Sequence, residues 1–265
     1  MDYLLILLSV DSLMKVILGS LIGLCLGLTG VGGGVLIIPI LQVIFGMHTI
    51  MAVGTASIIS SIVKANAGIS HIMVGNVDWK ALRWMLLGAL PATFITTELI
   101  IHLYSIPALS SSINSAIEFA IIGIMLVSLV SIYNKYRQCA NQQSGRIHSN
   151  KVAVSTGATC GTIMGSTGVG GGVMLLPAFN TLLGVGIKKS VGSSLVMALI
   201  LSSLTALNYS RGGQSDLTTA ILMSLGAFIG VPVSMRLMKK IKDKHVYILT
   251  LVIIVISLAM ILFKQ

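Results

Sequence analysis

Thr29-Gly30-Val31-Gly32-Gly33-Gly34-Val35, with Pro39 beyond it, returns as Thr167-Gly168-Val169-Gly170-Gly171-Gly172-Val173, with Pro177 beyond it. The offset is 138 residues, and it also carries Gly19, Gly23 and Gly27 onto Gly157, Gly161 and Gly165. Gly46, Gly54, Gly75 and Gly88 fall on Gly184, Gly192, Gly213 and Gly226, so eleven pairs use 22 of the 28 glycines. Coincidence does not align that many, and the chain reads as a duplicated unit. In an apolar chain, a duplication with a glycine-broken segment in each half points to a transporter whose binding site lies between the repeats.

Charged residues make up 9% of the chain and hydrophobic ones 55%, where soluble domains carry roughly 25% charged residues. Such a chain cannot cover a water-facing surface. It reads as all-α and polytopic in the bilayer, because long apolar runs replace the alternation of a barrel strand. The net charge of +10 does not indicate nucleic acid, since the basic residues are confined to short loops. Cys25, Cys139 and Cys160 have no metal-ligand spacing and read as small apolar residues. Asp2 and the lack of a basic n-region argue against reading residues 1–10 as a cleaved signal peptide.

The first half predicts a helix over 13–28, the glycine break, a short helix over 35–45, and spans over 50–72, 80–103 and 112–133. The second predicts 151–167, a break, 173–185, 189–210, 217–237 and 245–263. The segments flanking the breaks are shorter than the ~20 residues of a full span and read as pairs that dip into the membrane and return. The repeats are assigned to 1–133 and 151–265, joined by a linker over 134–150. Linker 134–151 holds Lys135, Arg137, Arg146 and Lys151 without an acid. Loop 236–244 holds five basic residues against Asp243, and Lys80, Arg83, Lys188 and Lys189 mark two more basic segments. These 13 of the 17 basic residues place four loops in the cytoplasm, with the uncharged loop 104–111 outside. Each half then has an odd number of passes, so the repeats are expected to be inverted.

Three consecutive glycines interrupt a helix and leave their amides bare. Inside a bilayer such backbone is tolerated only where it lines a cavity or is covered by protein. Helix N-termini facing the breaks favour an anion, with Thr29 and Thr167 adding hydroxyls. The candidate binding residues are therefore Thr29, Gly30, Gly32, Gly33, Gly34, Thr167, Gly168, Gly170, Gly171 and Gly172. Close packing through small residues is the competing reading, and for the Gly19/Gly23/Gly27 and Gly157/Gly161/Gly165 ladders it is preferred. Lys64 lies inside a span, where a cation faces a cavity or a partner or snorkels to the surface. Lys64, Asn66 and Asn208 join the candidates, with helix–helix bonding the alternative for the amides. His71 reads as interfacial before it reads as a proton relay, and Glu98 and Glu118 as interfacial carboxylates. No Lys-Ser/Thr follows the glycine runs, so a phosphate-cradling loop is excluded. No nucleophile–base set, metal cluster or nucleotide motif appears, so an enzyme and a bound cofactor are not expected.

The chain resembles the TauE/SafE family of sulfite-exporter-like permeases through GLCLGLTGVGGGVLIIPIL (23–41), AVGTASIISS (52–61) and HIMVGNVDW (71–79). The second half adds GTIMGSTGVGGGVMLLPAF (161–179) and SVGSSLV (190–196). The resemblance implies an inner-membrane permease for small sulfur-containing or related organic anions, often outward. In the second half, Tyr209-Ser210-Arg211 and Gly213-Gln214-Ser215-Asp216 stand where the first has its His and Gly-Asn-Val-Asp segment. The main expectation is a secondary exporter of small anions such as sulfite or sulfonates, working by alternating access. Its partners are the anion, the lipid bilayer and a coupling proton or ion. An anion channel using the same breaks as a filter, and a non-transporting scaffold, are the rivals.

Overall fold

The structure, a computed structural model, describes residues 10–29, 34–137, 149–169, 171–238 and 243–263. Helices account for all the regular structure among them. They are α1 (Val10–Thr29), α2 (Gly34–Val43), α3 (Thr49–Met73), α4 (Trp79–Tyr104), α5 (Pro107–Arg137), α6 (Asn150–Thr167), α7 (Gly171–Pro177, continued by a π turn, Ala178–Leu182), α8 (Ile187–Arg211), α9 (Leu217–Met238) and α10 (Asp243–Leu262). Among the described residues, six helices are long and apolar enough to cross a membrane. The chain is an all-α, polytopic membrane protein. Adding 138 to the bounds of α3 reproduces those of α8, so the element order repeats at the same offset as the glycines.

Two boundaries differ from expectation, each for a local reason. The first helix already includes Val10–Ser12, and Asp11 and Lys15 pair within it at 2.6 Å, one charge offsetting the other. At 20 residues, α1 is long enough to cross the bilayer. The short arms are instead α2, with 10 residues, and α7 with its π turn. The fifth helix starts at Pro107, where a proline suits a first helical position, so the expected outer loop shrinks to the bend at 105–106.

The glycine ladders determine the packing. A Cβ on Gly157 would lie 2.1 Å from the Met85 carbonyl oxygen, and one on Gly161 2.4 Å from that of Ala89. Their repeat counterparts do the same: Gly19 meets the Met223 carbonyl at 2.1 Å and Gly23 that of Ala227 at 2.6 Å. The first helix of each half thus lies backbone-to-backbone, and parallel, along the helix of the other half that follows its central one: α1 on α9, α6 on α4. Bulky residues point away from these seams. Leu13, Ile17 and Leu21 on α1, and Leu87, Phe94 and Leu99 on α4, are exposed. Small residues inside and large ones outside is the arrangement lipid favours, since burying Leu against protein gains little there.

The central helices α3 and α8 run antiparallel. Gly54 touches Tyr209, Gly68 touches Val196 and Leu199, and Gly192 touches His71. Contacts are exchanged as a two-fold requires. The Asp216 amide donates to Thr55 Oγ1 at 2.9 Å, and the equivalent Asp78 amide donates to Ser193 Oγ at 2.8 Å. These exchanged contacts fit a two-fold axis perpendicular to the antiparallel pair α3 and α8.

The prediction is asymmetric between glycines. Gly157→Ala should destabilise the protein by about 1–3 kcal/mol through overpacking, seen as a lowered Tm in detergent. Gly123→Ala, which meets nothing within 4 Å, should leave Tm unchanged. Equal Tm values for the two variants would contradict the backbone contact.

Candidate functional site

The start of α2 meets the end of α6. A Cβ on Gly34, the first residue of α2, would sit 2.5 Å from the Gly168 carbonyl oxygen and 3.0 Å from Val169 Cα. Gly168 ends α6 in the left-handed conformation (φ 63°), its N–H returning to the Met164 carbonyl, a C-terminal geometry that favours glycine. It lies against Val53 and Ser57 of α3. Thr167 is buried. Its hydroxyl donates to the Ile163 carbonyl at 2.6 Å and accepts from the Val169 amide at 3.2 Å, so it holds the break in shape. Gly30, Gly32, Gly33 and Gly170 lie outside the described residues, as do the side chains of Thr29 and Asn66; Gly171 and Gly172 open α7.

Lys64 is buried in α3, and no carboxylate among the described residues pairs with it. Its position follows from the two-fold. Facing residues of α3 and α8 have numbers that sum to about 264 (54 with 209, 68 with 196, 71 with 192). With the 138-residue offset, the axis passes level with residue 63, since 63 plus 201 is 264. Lys64 thus stands within about one residue, ~1.5 Å of rise, of the molecular midpoint. Its counterpart is Ser202, whose hydroxyl donates to the Leu199 carbonyl at 3.1 Å. One half brings a charge to the centre and the other does not.

Asn208 is buried, and its Nδ2 donates to Thr97 Oγ1 at 2.6 Å. Thr97 in turn donates to the Thr93 carbonyl, and Thr93 Oγ1 donates to that of Gly161 at 3.0 Å. This relay ties α8 to α4 and α4 to α6, a use of the amide that is helix joining. Tyr209, noted in the sequence only as standing where the first half has its His, is fully buried and donates to the Gly165 carbonyl at 3.0 Å, one turn before the break. The signal was its repeat relation to His71, since both end their helices ahead of a tight turn. The two turns match despite their different sequences. Gly75 and Gly213 have φ of 72° and 69°. The Asn76 and Gln214 amides return to the carbonyls of His71 and Tyr209, and Asp78 and Asp216 accept from the amides of Ala81 and Thr219. Glu98 is exposed and Glu118 half-buried.

Three of the basic segments converge at one end of the molecule. Asp78, Lys80, Trp84, Ser149, Leu183 and Lys189 line a cavity of about 590 Å³ there. Helices α4, α6 and α8 all start at that end.

The sulfite exporter TauE/SafE family matches residues 16–261. A "probable membrane transporter protein" of Bacillus subtilis (strain 168), YjnA, is 25% identical over 91% of this chain and 96% of its own length. One of Xylella fastidiosa (strain 9a5c) is 28% identical over 80% of this chain and 79% of its own. MJ0441 of Methanocaldococcus jannaschii, similarly described, is 24% identical over 88% and 89%. No solved structure matches significantly. The chain belongs to the TauE/SafE family of membrane transporters.

The relay makes a prediction of its own. Thr97→Val should lower Tm by leaving a buried amide unpaired, at a cost of about 1–3 kcal/mol. A double-mutant cycle of Thr97→Val with Asn208→Leu should show coupling of about 0.6–1.7 kcal/mol, the range for hydrogen bonds between membrane helices. Strict additivity would show that the two side chains do not act together.

Proposed function

From this family membership, we propose that the protein is a secondary transporter of small anions, an exporter from the cytoplasm, in which two inverted halves rock about a site at the glycine breaks. The observation that carries this reading is the contact of Gly34 with Gly168 and Val169. The start of α2 and the end of α6, one from each half, present backbone to one another. Irregular backbone in a bilayer needs either a lined cavity or protein cover, and discontinuous helices at a repeat interface are the usual site of such transporters. Thr29, Gly30, Gly32–Gly34, Thr167, Gly168 and Gly170–Gly172 form its core. Lys64 is the cation that favours negative charge, and Asn66 and Asn208 are neighbours. The family's description as sulfite exporters supports sulfite, sulfonates or related anions as cargo.

The antiparallel α3–α8 pair supports inversion: if both helices span, equivalent elements cross the membrane in opposite directions. The basic end, with Lys80 and Lys189 around one cavity, is the cytoplasmic end by the positive-inside rule. Residues 1–133 and 151–265 are the two repeats, with the 134–150 linker cytoplasmic.

Proteoliposomes loaded with unlabelled sulfite should accumulate labelled sulfite by counterflow. Gly34→Val, which forces a side chain into the Gly168 carbonyl, should cut that flux at least tenfold while leaving the protein folded by size-exclusion chromatography. Flux without trans-stimulation would make the protein a channel, and wild-type flux in the variant would remove the break from the site.

A further inference from the structure

Most hydroxyls in these helices are bonded to a carbonyl three or four residues back, as Ser57, Ser128 and Ser224 are. This is the ordinary way to bury a hydroxyl in a helix. Among the described residues, five buried side-chain atoms have no partner: Gln42 Oε1, Ser60 Oγ, His71 Nδ1, Thr205 Oγ1 and Ser257 Oγ. Ser60, His71 and Thr205 belong to the central α3–α8 pair, and Ser60 and Thr205 are 1% and 0% exposed. A hydroxyl held that dry without an acceptor is costly, and two on one helix pair point to a missing acceptor.

Their placement is specific. Facing positions of α3 and α8 sum to about 264, so Thr205 stands level with residue 59, beside Ser60. Thr205 is the repeat equivalent of position 67, which lies seven residues from Ser60 and within about 20° of it around the helix. A two-fold perpendicular to the pair keeps equivalent faces on one side, so both hydroxyls look out from the same side. Lys64 is one turn from Ser60 on the same stripe, and helical side chains lean toward the N-terminus, which carries its ammonium back toward the hydroxyls. The stripe continues to Ser57 and Val53, which touch Gly168.

We propose that Ser60, Lys64 and Thr205 form an oxyanion-binding subsite next to the glycine break, with two hydroxyls and one ammonium donating to a sulfite- or sulfonate-type group. All three groups can donate, and an acceptor-only oxyanion meets that set without leaving a donor over. The inference rests on the anion-transport reading and deepens it. The subsite is lopsided: the equivalents of Ser60 and Lys64 are Ala198 and Ser202, so the charge is held by α3 alone.

The test is binding to the purified full-length protein, measured by isothermal titration with sulfite, methanesulfonate and acetate, together with Tm with and without each anion. Ser60→Ala and Thr205→Val should each weaken sulfite or methanesulfonate binding about tenfold. Lys64→Met should abolish the anion-induced rise in Tm, and Ser128→Ala should match wild type. Thr205→Ser should restore binding. Without anion, Ser60→Ala and Thr205→Val should melt at or above the wild-type Tm, because each removes an unpaired polar atom; a purely structural role would lower it. Wild-type affinity in both variants, with the wild type still binding, overturns the subsite and leaves the transport reading standing. No binding of any of the three anions by the wild type overturns both.

Discussion

The rest of the structure depends on backbone meeting backbone across the α1–α9 and α4–α6 seams. In lipid there is no hydrophobic force between helices, so attraction comes from dispersion, weak polar contacts and close fit. Glycines at 19, 23, 157 and 161 bring the facing carbonyls to distances no side chain would permit. These seams fasten each half to the other more than to itself. They fix the register of α3 against α8, and hence the place where the start of α2 comes against the end of α6.

That register gives the site its character. The break after α6 is shaped by Thr167 and by the left-handed Gly168, and is braced by Tyr209 on the Gly165 carbonyl. The same position in the first half carries His71. The two halves share turns, caps and interlocking hydroxyl contacts, so their scaffolds agree. They differ where Lys64 of one half is replaced by Ser202 of the other, and His71 by Tyr209. A symmetric frame with unequal occupants can hold one charged solute off-centre, with one half carrying the electrostatic pull.

Much of this was legible from residue order. The duplicated glycines identified the repeat, and the apolar runs located the helices to within a few residues, because both signals are local and periodic. Residues 10–12 were left out of α1 because Asp11 and Lys15 look like a boundary until they neutralise each other. Pro107 looked like a loop residue until its place at the head of a helix was seen. What could not be read was pairing. A repeat says that Gly19 and Gly157 are equivalent, but not that they press on Met223 and Met85. The unpartnered hydroxyls of Ser60 and Thr205 were equally invisible, since a serine among apolar residues does not announce whether its own backbone will satisfy it. Asn208 was singled out for its polarity, and the structure accounts for that polarity through Thr97.

The exchange of first helices between halves has a consequence for biogenesis. Gly19 waits for Met223, 204 residues further along the chain. At about 5–20 residues per second, α1 spends on the order of 10–40 s without the helix whose carbonyls its glycines were shaped to meet. Its glycine face must be sheltered during that interval by lipid or by the insertion machinery. Neither half, released from the ribosome alone, would contain the mate of its own leading helix.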